Sequence, residues 1–262
     1  MIKTIIASAC LAAPALAQPD VLRNLPEADV IFLGEVHDNP VHHENQTIAT
    51  QAIGPAALVF EMLTDDQAAR IPPDADLDQD ALQALLDWDN SGWPDFAMYY
   101  PLFTAAPTAA IFGAGLPRDA ARNAMGQPLT QAFSGDAARF GLDMPLDSVQ
   151  QQAREDLQAR AHCDALPDEM LPMMVDIQRL RDAMLADAAL KAYQDTGGPV
   201  VVITGTGHAR TDWGAPALLA QAAPDLRILS IGQFESEPDD PAHDLHLVTE
   251  PHPRPDPCDA FR

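Results

Sequence analysis

The stretch "GPVVVITG" (198–205) is a run of β-branched residues, opened by Gly-Pro and closed by Gly, with no charged residue inside it. A strand with one face in water alternates apolar and polar positions. A strand buried on both faces reads as an unbroken apolar run, which is the habit of parallel sheets. The same texture recurs in "DVIFL" (29–33), "AALVFEM" (56–62) and "LRILSIG" (226–232), and more weakly in "AAIFGA" (109–114). Helical stretches separate them, at 41–53, 78–88, 95–106 and 166–193. The last carries Met170, Met174, Ile177, Leu180, Met184 and Leu185 at three-to-four spacing, with Pro172 near its start, where proline is tolerated. Its methionines read as core filling. Strands alternating with helices predict an α/β fold: a mostly parallel central sheet flanked by helices, with a helical insertion.

The chain has 262 residues, 47% of them hydrophobic, which is enough for one sizeable core. No fixed-period repeat divides it. The formal charge of −24 repels nucleic acid and anionic lipid, and this sets both aside as general partners. Residues 1–17, "MIKTIIASACLAAPALA", read as a signal peptide: a basic Lys3, a short apolar region and a small-x-small end. Soluble export, periplasmic or secreted, is the favoured reading. The rival is lipid anchoring at Cys10, against which the apolar region before it is very short. No later segment is long and apolar enough to span a bilayer.

Cleavage after Ala17 leaves Cys163 and Cys258. An even pair in an oxidising compartment predicts one disulfide, tethering the proline-rich tail "EPHPRPDPCDAFR" to the middle of the chain.

Ligands of open parallel sheets bind outside the carboxyl ends of the strands. Here Gly34-Glu35-Val36-His37 follows "VIFL", Glu61 follows "ALVF", and Gly205-Thr206-Gly207-His208 follows "VVIT". Glycine lets the chain turn sharply and delivers each histidine to the rim. If these strands are neighbours, Glu35, His37, Glu61 and His208 converge. Two imidazoles with carboxylates match a divalent transition metal, or a carboxylate serving as general base toward a metal-bound water. A single Gly-x-x-His is as well explained by a local hydrogen bond; two after separate strands favour a site. His43 is either a further ligand or a support for one, and His42 is expected to face solvent. Asp38 is expected to cap the next helix or to orient His37. For His162, beside Cys163, a structural role competes with a functional one. His243, His246 and His252 are read as tail residues rather than ligands.

The segment "DWDNSGWPDFAMYYPLFTAA" (87–106) holds Trp88, Trp93, Tyr99 and Tyr100. Aromatic surface with a phenol oxygen suits a haem face, since a tyrosinate can ligate ferric iron. An ordinary helix packed by its aromatics has the same composition.

Together "FLGEVHDNPVHHENQ", "VFEM", "WDNSGWPDFAMYYPLF", "GLPRDAAR", "AHCDALP" with "IQRLRDAMLA", and "VVITGTGHARTDWGAP" resemble the ChaN-like haem-binding uptake family, grouped with the Tiki and erythromycin-esterase-like proteins. The resemblance spans about 30 to 235. It implies one ChaN-like α/β domain over 18–262, in an exported and often lipid-anchored protein. It also implies haem binding for iron uptake, with haems held at a homodimer contact and an outer-membrane haem receptor as a further partner. By motif, Tyr99 matches the family's iron-ligating tyrosine and Tyr100 is the fallback. The related hydrolase branches imply a hydrolytic or metal centre at Glu35, His37, Glu61 and His208, the alternative function being a metal-dependent esterase or peptidase. The sequence departs from the family at Cys10, where the short preceding apolar region disfavours a lipid anchor, and at Thr206, where asparagine is common in the family.

Overall fold

A computed structural model describes residues 18–72 and 78–261 of the chain. The expected signal peptide and Cys10 lie outside them. The described residues build a six-stranded sheet in the order β3-β2-β4-β1-β5-β6, with every pairing parallel. The strands are β1 (Val30–Glu35), β2 (Ala57–Phe60), β3 (Ala110–Gly113), β4 (Val200–Gly205), β5 (Ile228–Phe234) and β6 (Leu245–Val248). The α/β expectation holds, and each predicted apolar run contributes a strand. β6 was not predicted. It is a short edge strand whose His246 is exposed, so it lacks the two-sided apolar signature.

The absence of alternation has a direct cause. Val30, Phe32, Val59, Val200 and Val202 pack on one face with the helix Leu171–Thr196. Ile31, Leu33, Leu58, Phe60, Val201 and Ile203 pack on the other, with the helix Phe96–Ala105. Consecutive residues of one strand therefore enter opposite cores, and both must be apolar. The long helix starts later than expected, because Asp168–Met170 is a separate turn of 3-10 helix. It ends where Gly197 adopts a left-handed φ of 80° and its N–H returns to the Tyr193 carbonyl.

The order of strands decides where the site is. β4 lies between β1 and β2, so the carboxyl ends of β1, β2 and β4 are contiguous. Glu35 pairs in register with Gly205. At the end of β1, a Cβ on Gly34 would come within 2.8 Å of Thr206 Oγ1. Glycine is thus required for the two strand ends to close together.

The tail is anchored as expected: Cys163 and Cys258 are bonded, with Cα atoms 5.6 Å apart. Arg254 adds ion pairs to Asp38 at 2.7 Å and to Glu235 at 2.6 Å. Among the described residues, no helix is long and apolar enough to cross a membrane.

Candidate functional site

β1 ends in Glu35, which is buried, and the chain turns there so that His37 lies back against it. His37 Nδ1 meets Glu35 Oε1 at 2.8 Å, and the Tyr99 hydroxyl donates to the same oxygen at 2.8 Å. On the other side, Glu35 Oε2 faces His43 Nδ1 at 3.4 Å. His43 Nε2 donates to the His37 carbonyl at 2.8 Å, so its proton is committed there. Glu35 Oε2 and His43 Nδ1 are both buried and otherwise unpartnered, two acceptors facing each other unless a proton lies between them.

Glu61, just past β2, is fixed by β4. Its Oε2 accepts from the Thr204 hydroxyl at 2.7 Å and from the Gly205 N–H at 2.8 Å. Burial opposes its charge, but His208, His37 and these two donors outweigh burial and hold the carboxyl at about 2. Its Oε1 lies 3.7 Å from His208 Nε2. His208 Nδ1 is in turn held by Asp182 Oδ1 at 2.6 Å. Burial pushes the His208 imidazolium down, yet the Glu61 and Asp182 charges leave its pKa raised. His37 behaves likewise. Burial disfavours its charge, while the Glu35 bond and the Glu61, Glu35 and Asp38 charges lift it to about 9. Gly205 makes room for His37 beside Glu61: a Cβ there would come within 2.9 Å of His37 Nε2 and 3.7 Å of Glu61 Oε2.

The result is a chain of alternating acids and imidazoles, Asp182–His208–Glu61 and His37–Glu35–Tyr99, with Glu61 close to both histidines. His37, Glu61 and His208 line an open cavity of about 310 Å³, together with Trp93, Leu116 and Arg181. The His37 ring lies 4.9 Å from that of Trp93. Among the described residues, no Ser, Thr or Cys lines this cavity.

The structure thus brings together the residues predicted at three strand ends, but sorts them. Glu35 and His43 lie behind His37, with Glu35 Oε1 and His43 Nε2 already bonded, so they do not face the cavity as expected of ligands. Among the described residues, no three His, Cys, Asp or Glu side chains are arranged to hold a metal ion.

Three other expectations need correction. His42 does not face solvent; it is fully buried, accepting the Val36 N–H at 2.8 Å and pairing with Thr249 Oγ1 at 2.8 Å. Burial pushes its pKa down to about 4, which keeps the ring neutral for these bonds. Asp38 neither caps the helix Pro40–Ile53 nor bonds His37. The cap is Asn39, accepting from the Val41 N–H, and Asp38 pairs with Arg254. Tyr99 is not on a surface. It is 0% exposed, its ring 4.4 Å from His43 and 4.9 Å from Trp88. Burial and the Glu35 charge push its phenol far up, opposite to what a tyrosinate ligand needs. Its neighbour Tyr100 is half-buried beside Phe96.

Asp182 was missed from sequence. A signal was present: it is an acid on the same helical stripe as Val175, Ala186 and Ala189, all buried.

The sequence over 21–219 matches the family described as haem-binding uptake, Tiki superfamily, ChaN. The chain belongs to this family. Its fold is that of ChaN: a structure described as cofacial haem binding to ChaN of Campylobacter jejuni superposes with a TM-score of 0.63 at 20% identity, covering 87% of this chain and 89% of that one. The type III effector HopBA1 is a more distant structural neighbour, with a TM-score of 0.42, 16% identity and coverage of 85% and 88%. A mutant of the erythromycin esterase EreC in its open conformation gives 0.36, 10%, and coverage of 82% and 74%. No curated protein sequence matches the chain.

Proposed function

We propose that this ChaN-family protein binds haem and serves haem-linked iron uptake as an exported protein. The observation that carries the reading is the family match over most of the chain. The Cys163–Cys258 bond supports export, since such bonds persist in oxidising compartments. The residues at the rim fit a haem. Trp93 and Leu116 offer apolar contact, Arg181 offers a cation for a propionate, and His37 and His208 offer imidazoles. At about 310 Å³ the cavity takes an edge of a macrocycle rather than enclosing it. Bound haem would supply the iron; the protein's part is to contact the ring and offer a ligand to it. The half-buried Tyr100, which is not among the residues lining this cavity, is the phenol assigned to that role in place of the fully buried Tyr99, on the motif alone. A homodimer enclosing haem and an outer-membrane receptor as recipient complete this reading.

Titration of the apo-protein with hemin tests it. A saturable Soret shift is expected, with Tyr100→Phe removing the tyrosinate signature and Tyr99→Phe retaining it. Absence of a saturable shift would overturn haem binding, and a retained signature in Tyr100→Phe would overturn the ligand.

One observation favours a second reading, hydrolysis. Each cavity histidine has its Nδ1 held by a buried carboxylate, which fixes the ring and raises the basicity of Nε2. With no Ser, Thr or Cys among the described lining residues, water is the nucleophile, its proton taken by an imidazole above the raised pKa values of His37 and His208. Ester turnover that rises with pH and is abolished by His37→Ala and by His208→Ala is expected; turnover unchanged in both variants would overturn this reading.

A further inference from the structure

A second cavity, of about 190 Å³, opens between the helices Ser148–Ala161, Leu171–Thr196 and Ala215–Ala222. It shares no lining residue with the His37–His208 cavity. Its wall carries two cations, Arg154 and Arg179, on a protein whose net charge is −24.

The two are partnered differently. Arg179 Nη2 donates to the Gly141 and Met144 carbonyls at 3.1 and 2.8 Å, and its Nη1 lies 3.6 Å from Asp176. Arg154 is 8% exposed and donates from Nη2 to Gln150 at 3.1 Å, but its Nε–H is buried with no acceptor. The guanidinium lies 5.3 Å from the Trp213 ring centroid. The carboxylate that also lines the cavity, Asp212, is already bound through both oxygens by Arg210, at 2.9 and 2.5 Å. A buried guanidinium edge with an unmet donor is a carboxylate receptor, because its N–H groups match that geometry. Phe140, Leu142 and Leu146 form an apolar wall of the same cavity.

We propose that this cavity binds a small monocarboxylate with an apolar body. The carboxylate meets the Arg154 guanidinium where it lines the cavity, and the body rests on Phe140, Leu142 and Leu146. Burial holds Arg154 at about 10, low for a guanidinium, despite the opposing charges of Asp182 and Asp212, and a bound anion adds to that opposition. Because the overall field repels anions, affinity comes from this local contact rather than from steering.

Calorimetric titration of the full chain with sodium benzoate tests the proposal, with benzamide as the uncharged isostere and inorganic phosphate as the other anion. Saturable binding of benzoate is expected, at least tenfold weaker in Arg154→Gln and partly restored in Arg154→Lys. Should Arg154→Gln not fold, Leu146→Trp fills the cavity from its half-buried wall and is expected to abolish benzoate binding while leaving hemin titration unchanged. No saturation, equal binding of benzamide, phosphate binding as well as benzoate, or unchanged affinity in the variants would each overturn it.

Discussion

The Tyr99 hydroxyl donates to Glu35 Oε1 at 2.8 Å, joining the aromatic helix to the end of β1 across 64 positions of sequence. Both groups are buried, so the bond has no water to replace it. Tyr99→Phe keeps the ring against Trp88 and His43 and removes only the donor. The expected cost is about 1–3 kcal/mol, read as a lower urea midpoint. A midpoint equal to wild type would show that His37 alone satisfies Glu35.

His37 makes stability depend on pH in a defined direction. Its pKa is about 9 in the folded protein, against an ordinary value of 6.5. A ring raised on folding stabilises in full below about 6.5 and loses that contribution as pH rises through about 9. The side chain is 33% exposed, so screening trims the effect to about 1–2 kcal/mol. Urea unfolding from about pH 6 to about pH 10 should show this loss in the wild type and a flatter profile in His37→Gln.

Asp182→Asn tests the acid that holds His208. The amide keeps the shape and removes the charge. The His208 imidazole resonance should then titrate at lower pH than in wild type, because burial is no longer opposed by that carboxylate. An unchanged midpoint would assign the raised pKa to Glu61 alone.

The Cys163–Cys258 bond closes a span of 95 positions. The chain-entropy relation gives about 4–5 kcal/mol as the upper figure for its removal. The Cys163→Ser, Cys258→Ser double variant should unfold at lower urea than the oxidised protein, and reductant should shift only the oxidised form. Equal stability of the two would mean the tail's ion pairs suffice to anchor it.

What could be read from sequence follows from the range of the interactions. β1, β2 and β4 were legible because burial on both faces imposes an apolar run that needs no knowledge of partners. Glu35, Glu61 and His208 were legible because a polar group straight after such a run has few places to go. The burial of His42 was not, since its partner Thr249 is 207 positions away. Nor was that of Tyr99, whose place is set by a carboxylate on another element. Asp182 shares a stripe with buried Val175, Ala186 and Ala189, but its partner His208 lies 26 positions away on another element, so the stripe alone gave it no role. The division between His37, which faces the cavity, and Glu35, which lies behind it, depends on how one turn closes, and spacing does not encode that.

The Arg254 contact has a consequence for the order in which the protein is made. Asp38 stands next to His37, and its ion-pair partner Arg254 comes 216 residues later. Synthesis runs from the amino end, so the turn carrying His37 leaves the ribosome long before the residue that clasps its neighbour. The Asp38–Arg254 pair and the Cys163–Cys258 bond therefore have to wait until the last residues of the chain have been made. A nascent chain halted before Arg254 would carry the strands of the site without that clasp.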